Sequence, residues 1–206
     1  MSTVIRNSIF AGICVAISAY AYVCTCMVTD PIYGAIIFSM ALTYICTREY
    51  DLYTGKIGIL MPIIKDISYS VKYRRDFILK LIIMVIVNVV TAFAIGLLFG
   101  FINPSAAEFC DKSINDKLTL GFPIIFLEST FCGIIMFFAI KCYSKIGVIS
   151  LILGVVTFIL CGFEHSIANV VYLGISGMIN LDRLLIIVIC VVGNTIGSLI
   201  VSRFDI

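Results

Sequence analysis

Gly162-Phe163-Glu164-His165-Ser166-Ile167-Ala168-Asn169 interrupts an otherwise apolar run, 146–179, with an acid, an imidazole and an amide. At about 1.5 Å of rise per residue, roughly 20 apolar residues cross a bilayer core, so this run is too long for one plain span. Polar side chains at membrane depth are tolerated only where they line a cavity or are buried in protein. The stretch therefore predicts two helical pieces with a break between them and a polar point inside the membrane.

The rest of the chain supports that setting. Of its 206 residues 62% are hydrophobic and 13% charged, with a mean hydropathy of +1.17. Soluble globules average about 45–50% apolar and about 25% charged residues, so that class is excluded. A net charge of +2 supplies no basic surface for nucleic acid. Five further apolar runs lie at 8–28, 32–46, 81–102, 120–140 and 184–201. The first starts too close to the N-terminus for a basic leader followed by a cleavage site, and it is read as a retained span. Long, continuously apolar runs favour helices over barrel strands, which alternate over about 10 residues. The expected fold is an all-α membrane protein of six spans forming a single domain over 1–206.

The run at 32–46 is as anomalous as the one at 146–179. It is short, meets Arg48-Glu49-Tyr50-Asp51, and turns apolar again at 57–64. This predicts a second broken helix. The two breaks hold matching places: Phe10-Ala11-Gly12-Ile13 resembles Phe131-Cys132-Gly133-Ile134, Asn88 matches Asn194, and between the markers lie Asp51 in one half and Glu164 in the other. Three spans per half make the halves, 1–105 and 118–206, run oppositely, a 3+3 inverted repeat with its site between the broken second and fifth helices. With an even number of spans, Arg6, the six basic residues of 56–80, Lys141, Lys145 and Arg203 fall on one side, and Lys112, Lys117 and Arg183 on the other. Ten against three places both termini in the cytoplasm.

Residues 162–169 resemble a signature of the formate/nitrite transporter family. Asp51-Leu52-Tyr53-Thr54-Gly55 is similar to its acidic-Leu-Phe-Thr-Gly stretch, and Gly193-Asn194-Thr195-Ile196-Gly197 to the Gly-Asn pattern of its sixth helix. The resemblance implies aquaporin-like protomers assembled as homopentamers, one pore each, passing small monovalent anions such as formate, nitrite, hydrosulfide or lactate. It implies a short bacterial member in the cytoplasmic (inner) membrane. The chain departs from the family pattern in Arg48, Glu49 and Tyr50, where small residues are usual, in Tyr53 for Phe, and in Glu128 and Cys132-Gly133 for a basic residue and a Cys-Asn pair.

Bare carboxylates cost tens of kcal/mol to move into hydrocarbon by Born estimates, and the neutral acid far less. A pore for such an anion must supply positive potential, donors or a proton. His165 is the chain's single histidine, and its ordinary pKa of about 6.5 suits proton exchange near neutrality. The resemblance sets Thr54 opposite it at the pore centre. Leu52, Tyr53 and Phe163 are the candidate apolar constrictions. Glu164 would repel anions unless paired. Lys145 is its nearest family counterpart and a local attractor for arriving anions, with Lys141 the rival. Asn169 and Asn194, like Asn88, are expected to cap or cross-link helices.

The nine cysteines form no metal or redox signature, and Cys110 is expected in a loop outside the spans. No nucleophile-base arrangement, phosphate loop or two-histidine motif supports an enzyme, and no cofactor or metal is expected. The expected partners are a small inorganic or organic anion, a proton, the bilayer and further copies of the chain. The alternatives are a neutral-solute pore of the water or glycerol kind, whose paired Asn-Pro-Ala mark is absent although Asn103-Pro104-Ser105 occurs once, in a loop, and a membrane subunit without transport.

Overall fold

The computed structural model describes residues 1–204. In chain order its helices are α1 (Ser2–Cys26), α2 (Pro31–Thr47), α3 (Tyr53–Lys56), a 3-10 turn (Ile57–Ile59), α4 (Leu60–Lys65), α5 (Val71–Ile102), α6 (Pro104–Leu120), α7 (Phe122–Ile146), α8 (Val148–Leu160), α9 (Ser166–Ser176) and α10 (Leu181–Phe204). The described residues contain no strand. By length and hydropathy, α1, α5, α7 and α10 can each cross a membrane alone. Of the shorter apolar helices, α2 packs against α1 and α8, both α2 and α8 keeping an exposed apolar face, while α9 is buried along most of its length against α5 and α1.

Helix ends follow local chemistry. Asp30 caps α2 by accepting the Ile32 N–H at 2.9 Å, with Pro31 in the first turn. Ser70 caps α5, which begins at Val71 rather than at the apolar boundary near 81 and carries Lys72, Arg74 and Arg75 on its first turns. Close helix pairing depends on missing side chains: a Cβ on Gly197 would lie 1.9 Å from the Thr130 carbonyl, and one on Gly100 2.1 Å from that of Ile175. These contacts bring α10 onto α7 and α5 onto α9 at backbone distance.

Both anomalous runs are interrupted, at 48–52 and at 161–165, by the same backbone device. Glu49 and Gly162 adopt left-handed conformations with φ of 56° and 72°. Behind the first, the N–H groups of Tyr50 and Glu49 bond back to the carbonyls of Ile45 at 2.9 Å and Cys46 at 3.4 Å. Behind the second, those of Phe163 and Gly162 reach Phe158 at 2.8 Å and Ile159 at 3.1 Å. These are Schellman caps, which satisfy the last carbonyls of α2 and α8 and turn the chain.

The segment 104–120 corrects the sequence expectation. It is not a loop. Asn103 caps it by accepting the Ala106 N–H at 3.2 Å, and Pro104 occupies its first turn. Ala106, Cys110 and Ile114 recur at helical spacing and are buried, chiefly where α6 packs on α9 and α5. Cys110, expected outside, is 1% exposed. Asn103-Pro104-Ser105 is thus a helix start.

Candidate functional site

Each break leaves backbone groups without a partner inside its own helix, which hydrocarbon does not tolerate. Two asparagines meet this need in parallel. Asn88 of α5 accepts the Tyr53 N–H at 2.9 Å and donates to the carbonyls of Ser8 at 2.8 Å and Asp51 at 3.1 Å. Asn194 of α10 accepts the Ser166 N–H at 2.8 Å and donates to the carbonyls of Ser129 and Glu164, both at 2.8 Å. Ring pairs flank them in the same register, Phe10 on Tyr50 at 5.2 Å and Phe131 on Phe163 at 5.4 Å between centroids. Asn88 and Asn194 are both fully buried, and they cross-link helices as polar fasteners.

With both breaks fixed, the residues that follow them meet. Thr54 Oγ1 lies 2.9 Å from His165 Nε2, and the two side chains are 2% and 4% exposed. His165 is also the N-cap of α9: its Nδ1 accepts the Ala168 N–H at 3.2 Å. A nitrogen that accepts carries no hydrogen, so these bonds assign the neutral tautomer with the proton on Nε2, donated to Thr54. Phe158 stacks on the imidazole at 5.8 Å.

Three cavities follow one another past His165, while Thr54 faces a separate cavity of about 240 Å³ with Gly58, Phe137 and Lys141. The first, about 170 Å³, lies against α6 and is walled by Phe109, Ser113, Lys117, Phe163, Glu164 and His165 among others. The second is a gap of about 10 Å³ among Leu42, Ile45, Leu52, Met136 and Val155, and it shares Phe38, Phe158 and His165 with the first. Such a volume holds about one water at most, and its wall is apolar apart from the imidazole. The third, about 150 Å³, shares Ile45 and Leu52 with the gap and is walled by Cys46, Glu49, Tyr50, Lys56 and Tyr143. The aromatic pair Phe38 and Phe158 thus narrows one side of His165, and Leu52 with Ile45 narrows the other.

Glu164 is 6% exposed, and its cation is Lys117 at 2.7 Å, not Lys145. Lys145 is exposed in the last turn of α7, and Lys141 lies over the Phe137 ring at 5.8 Å. Lys117 also donates to Asn169 Oδ1, and Asn169 donates to Glu164 Oε2 at 2.6 Å, closing a three-membered network. An isolated charge here would carry the full desolvation cost; in this network every member meets another. Lys117 also sits 5.4 Å from the centre of the Tyr172 ring, so the ammonium lies over a π face at the cavity wall.

Tyr53 was expected at a constriction, and the structure places it elsewhere. Its ring packs with Ile57, Leu81 and Met84, and its hydroxyl pairs with Thr195. Leu52 does line the gap, and Phe163 lines the first cavity. Sequence alone marks neither Phe38 nor Phe158, and it marks Lys117 only as a loop charge. A signal existed for Lys117, which continues the 106, 110, 114 face of α6 by three residues.

Geometry of this kind invites comparison with known proteins. The family model for the formate/nitrite transporters matches residues 1–204. The chain belongs to the formate/nitrite transporter family. Its fold is similar to that of a solved "FNT family ion channel", with a TM-score of 0.85 at 18% identity over 98% of this chain and 87% of that one. It is also similar to a "Pentameric formate channel with formate bound", with a TM-score of 0.77 at 17% identity over 95% of this chain and 91% of that one. No curated protein sequence matches the chain. As a formate/nitrite transporter family member it is a multi-pass, all-helical membrane protein of a class that conducts or carries solutes.

Proposed function

We propose that each protomer passes small monovalent weak acids, of the formate, nitrite or hydrosulfide class, along the three cavities and past His165. The observation that carries this reading is the His165–Thr54 hydrogen bond, set at the edge of an apolar gap of about 10 Å³ with the Lys117–Glu164–Asn169 network in the cavity before it. Lys117 raises the local potential for an arriving anion, while Glu164 and Asn169 hold the ammonium at the wall. The gap excludes a hydrated ion by dewetting, so the solute crosses best after taking up a proton. His165 Nε2–H is the hydrogen-bond donor it meets at the gap. Because Nδ1 accepts the Ala168 N–H, the neutral ring holds and orients the solute, and the proton that neutralises the solute comes from water in the flanking cavities.

The two breaks, the two asparagine fasteners and the two ring pairs support an inverted repeat of 1–105 and 118–206, with α6 as the connector. The excess of Lys and Arg at the end holding 56–80, Lys141, Lys145 and Arg203 supports cytoplasmic termini. A homopentamer with one path per protomer is the matching assembly, on the likeness to the pentameric formate channel.

Purified protein in liposomes tests the function directly. Swelling or flux in formate, nitrite, hydrosulfide and glycerol is measured between pH 5 and 8. Uptake of the three acids that rises as pH falls, with glycerol excluded, is the expected result. Glycerol uptake without acid uptake would instead identify a neutral-solute pore.

A further inference from the structure

The two left-handed residues that cap the breaks both face cavities. Gly162 lines the cavity at the α6 end, and Glu49 lines the one at the opposite end. Glu49 is the one non-glycine residue at positive φ among the described residues. Glycine adopts this conformation without steric cost, and the other break uses it. A strained backbone retained with a charged side chain at a cavity wall points to a task for that side chain. Glu49 is exposed, and its carboxylate takes no hydrogen bond or ion pair among the described residues, so it is not there to cross-link helices. The same wall holds one cation, Lys56, together with the titratable Cys46, Tyr50 and Tyr143.

We propose that Glu49 is a specificity-determining residue, a charge filter at this mouth of the path. The inference rests on the transport reading above. Alone, Lys56 would concentrate bare anions in the cavity next to Leu52. Asp51 also lies within electrostatic reach of Lys56, and the Glu49 carboxylate on the cavity wall adds to it, so a bare anion occupies the cavity poorly and the neutral acid is the form that reaches the apolar gap from this side. The two ends of the path are therefore unlike. At one end Lys117 presents its charge from within a bonded network, and at the other Lys56 is offset by a solvated acid facing the same space.

Formate flux into liposomes, as a function of formate concentration and of salt, tests the filter in the wild type, Glu49→Gln, Glu49→Asp and Glu49→Gly. Removing the charge in Glu49→Gln is expected to lower KM for formate by about two- to tenfold and to steepen the loss of flux with added salt, as one unit charge acting through partly hydrated space would. Glu49→Asp should behave as wild type and Glu49→Gly as Glu49→Gln. A conducting wild type with a Glu49→Gln variant of unchanged KM and salt response overturns the filter alone. A change seen in Glu49→Gly but not in Glu49→Gln assigns the effect to the backbone and also overturns it. A folded wild type that passes no weak acid removes the transport reading, and the filter with it.

Discussion

Asn88 and Asn194 each join one helix start to two carbonyls of other segments, and the partners of one stand in the same order as the partners of the other. Asn194→Ala strips a buried N–H and two buried carbonyls of their partner. Leaving such groups unsatisfied costs about 1–3 kcal/mol each, partly relieved by relaxation, so a loss of about 2–4 kcal/mol is expected. Thermal unfolding in detergent measures it. Asn194→Asp keeps the acceptor for Ser166 but loses both donors, and should be no milder.

His165→Phe keeps a flat ring against Phe158 and removes both the Nε2 donor and the cap on Ala168. Weak-acid flux should fall by about 10²–10³-fold, the scale typical of losing one positioned hydrogen-bond donor. Flux that stays high with an unaltered pH profile would take the imidazole out of the mechanism. Thr54→Ser, which keeps the hydroxyl, should conduct far better than Thr54→Val.

Lys117→Met leaves Glu164 as a buried carboxylate held only by an amide. Breaking such a pair on one side typically costs about 3–5 kcal/mol, and the variant should unfold at a lower temperature. Adding Glu164→Gln should recover most of that stability, because the buried charge is gone, without recovering anion uptake. Comparing the melting temperatures and fluxes of the single and double variants separates the two roles.

Glu49→Gly should stabilise the fold. A side chain in the left-handed region costs about 1–2 kcal/mol, and the extra freedom of glycine in the unfolded chain returns about half of that. The net gain of about 1 kcal/mol is readable in a denaturation midpoint, independently of any flux.

Asp66, in the turn between α4 and α5, accepts the Ser68 N–H at 2.9 Å. That bond, the Ser68 side chain and, more weakly, Arg74 hold its carboxyl below the usual range. A carboxyl depressed on folding stabilises above its unfolded pKa, about 3.9, and loses that contribution as pH falls through the folded value. The turn should hold from pH 7 to about 5 and loosen below about 4, seen as a lower protection of the Ser68 amide relative to its intrinsic exchange rate at each pH. Asp66→Asn should blunt this dependence.

Much of this architecture was written in local patterns. Both interruptions, the two asparagines, Glu164 and His165 stood out as polar residues where hydrocarbon should be, whereas Thr54 was singled out by the family resemblance. Helix α6 was hidden because its charges suggested a loop, while the apolar face that makes it a helix is one residue wide per turn. The partner of Glu164 was illegible for a different reason. Lys117 and Lys145 are both plausible by composition, and only the docking of α6 on α9 decides between them. Tyr53 and Thr54 are adjacent, yet one enters a side cluster and the other meets His165, a divergence fixed by where α3 starts turning. Phe38 and Phe158 look like ordinary packing in sequence, and they gain meaning only from the imidazole beside them.

Lys117 lies on α6, which connects the two proposed halves, 1–105 and 118–206. In the proposed path, the charge that greets a solute is consequently mounted on the connecting helix. Through Glu164 and Asn169 that mounting is tied to the start of α9, so a change in its basicity is felt at the residue beside the imidazole, and attraction and gating would be tuned together.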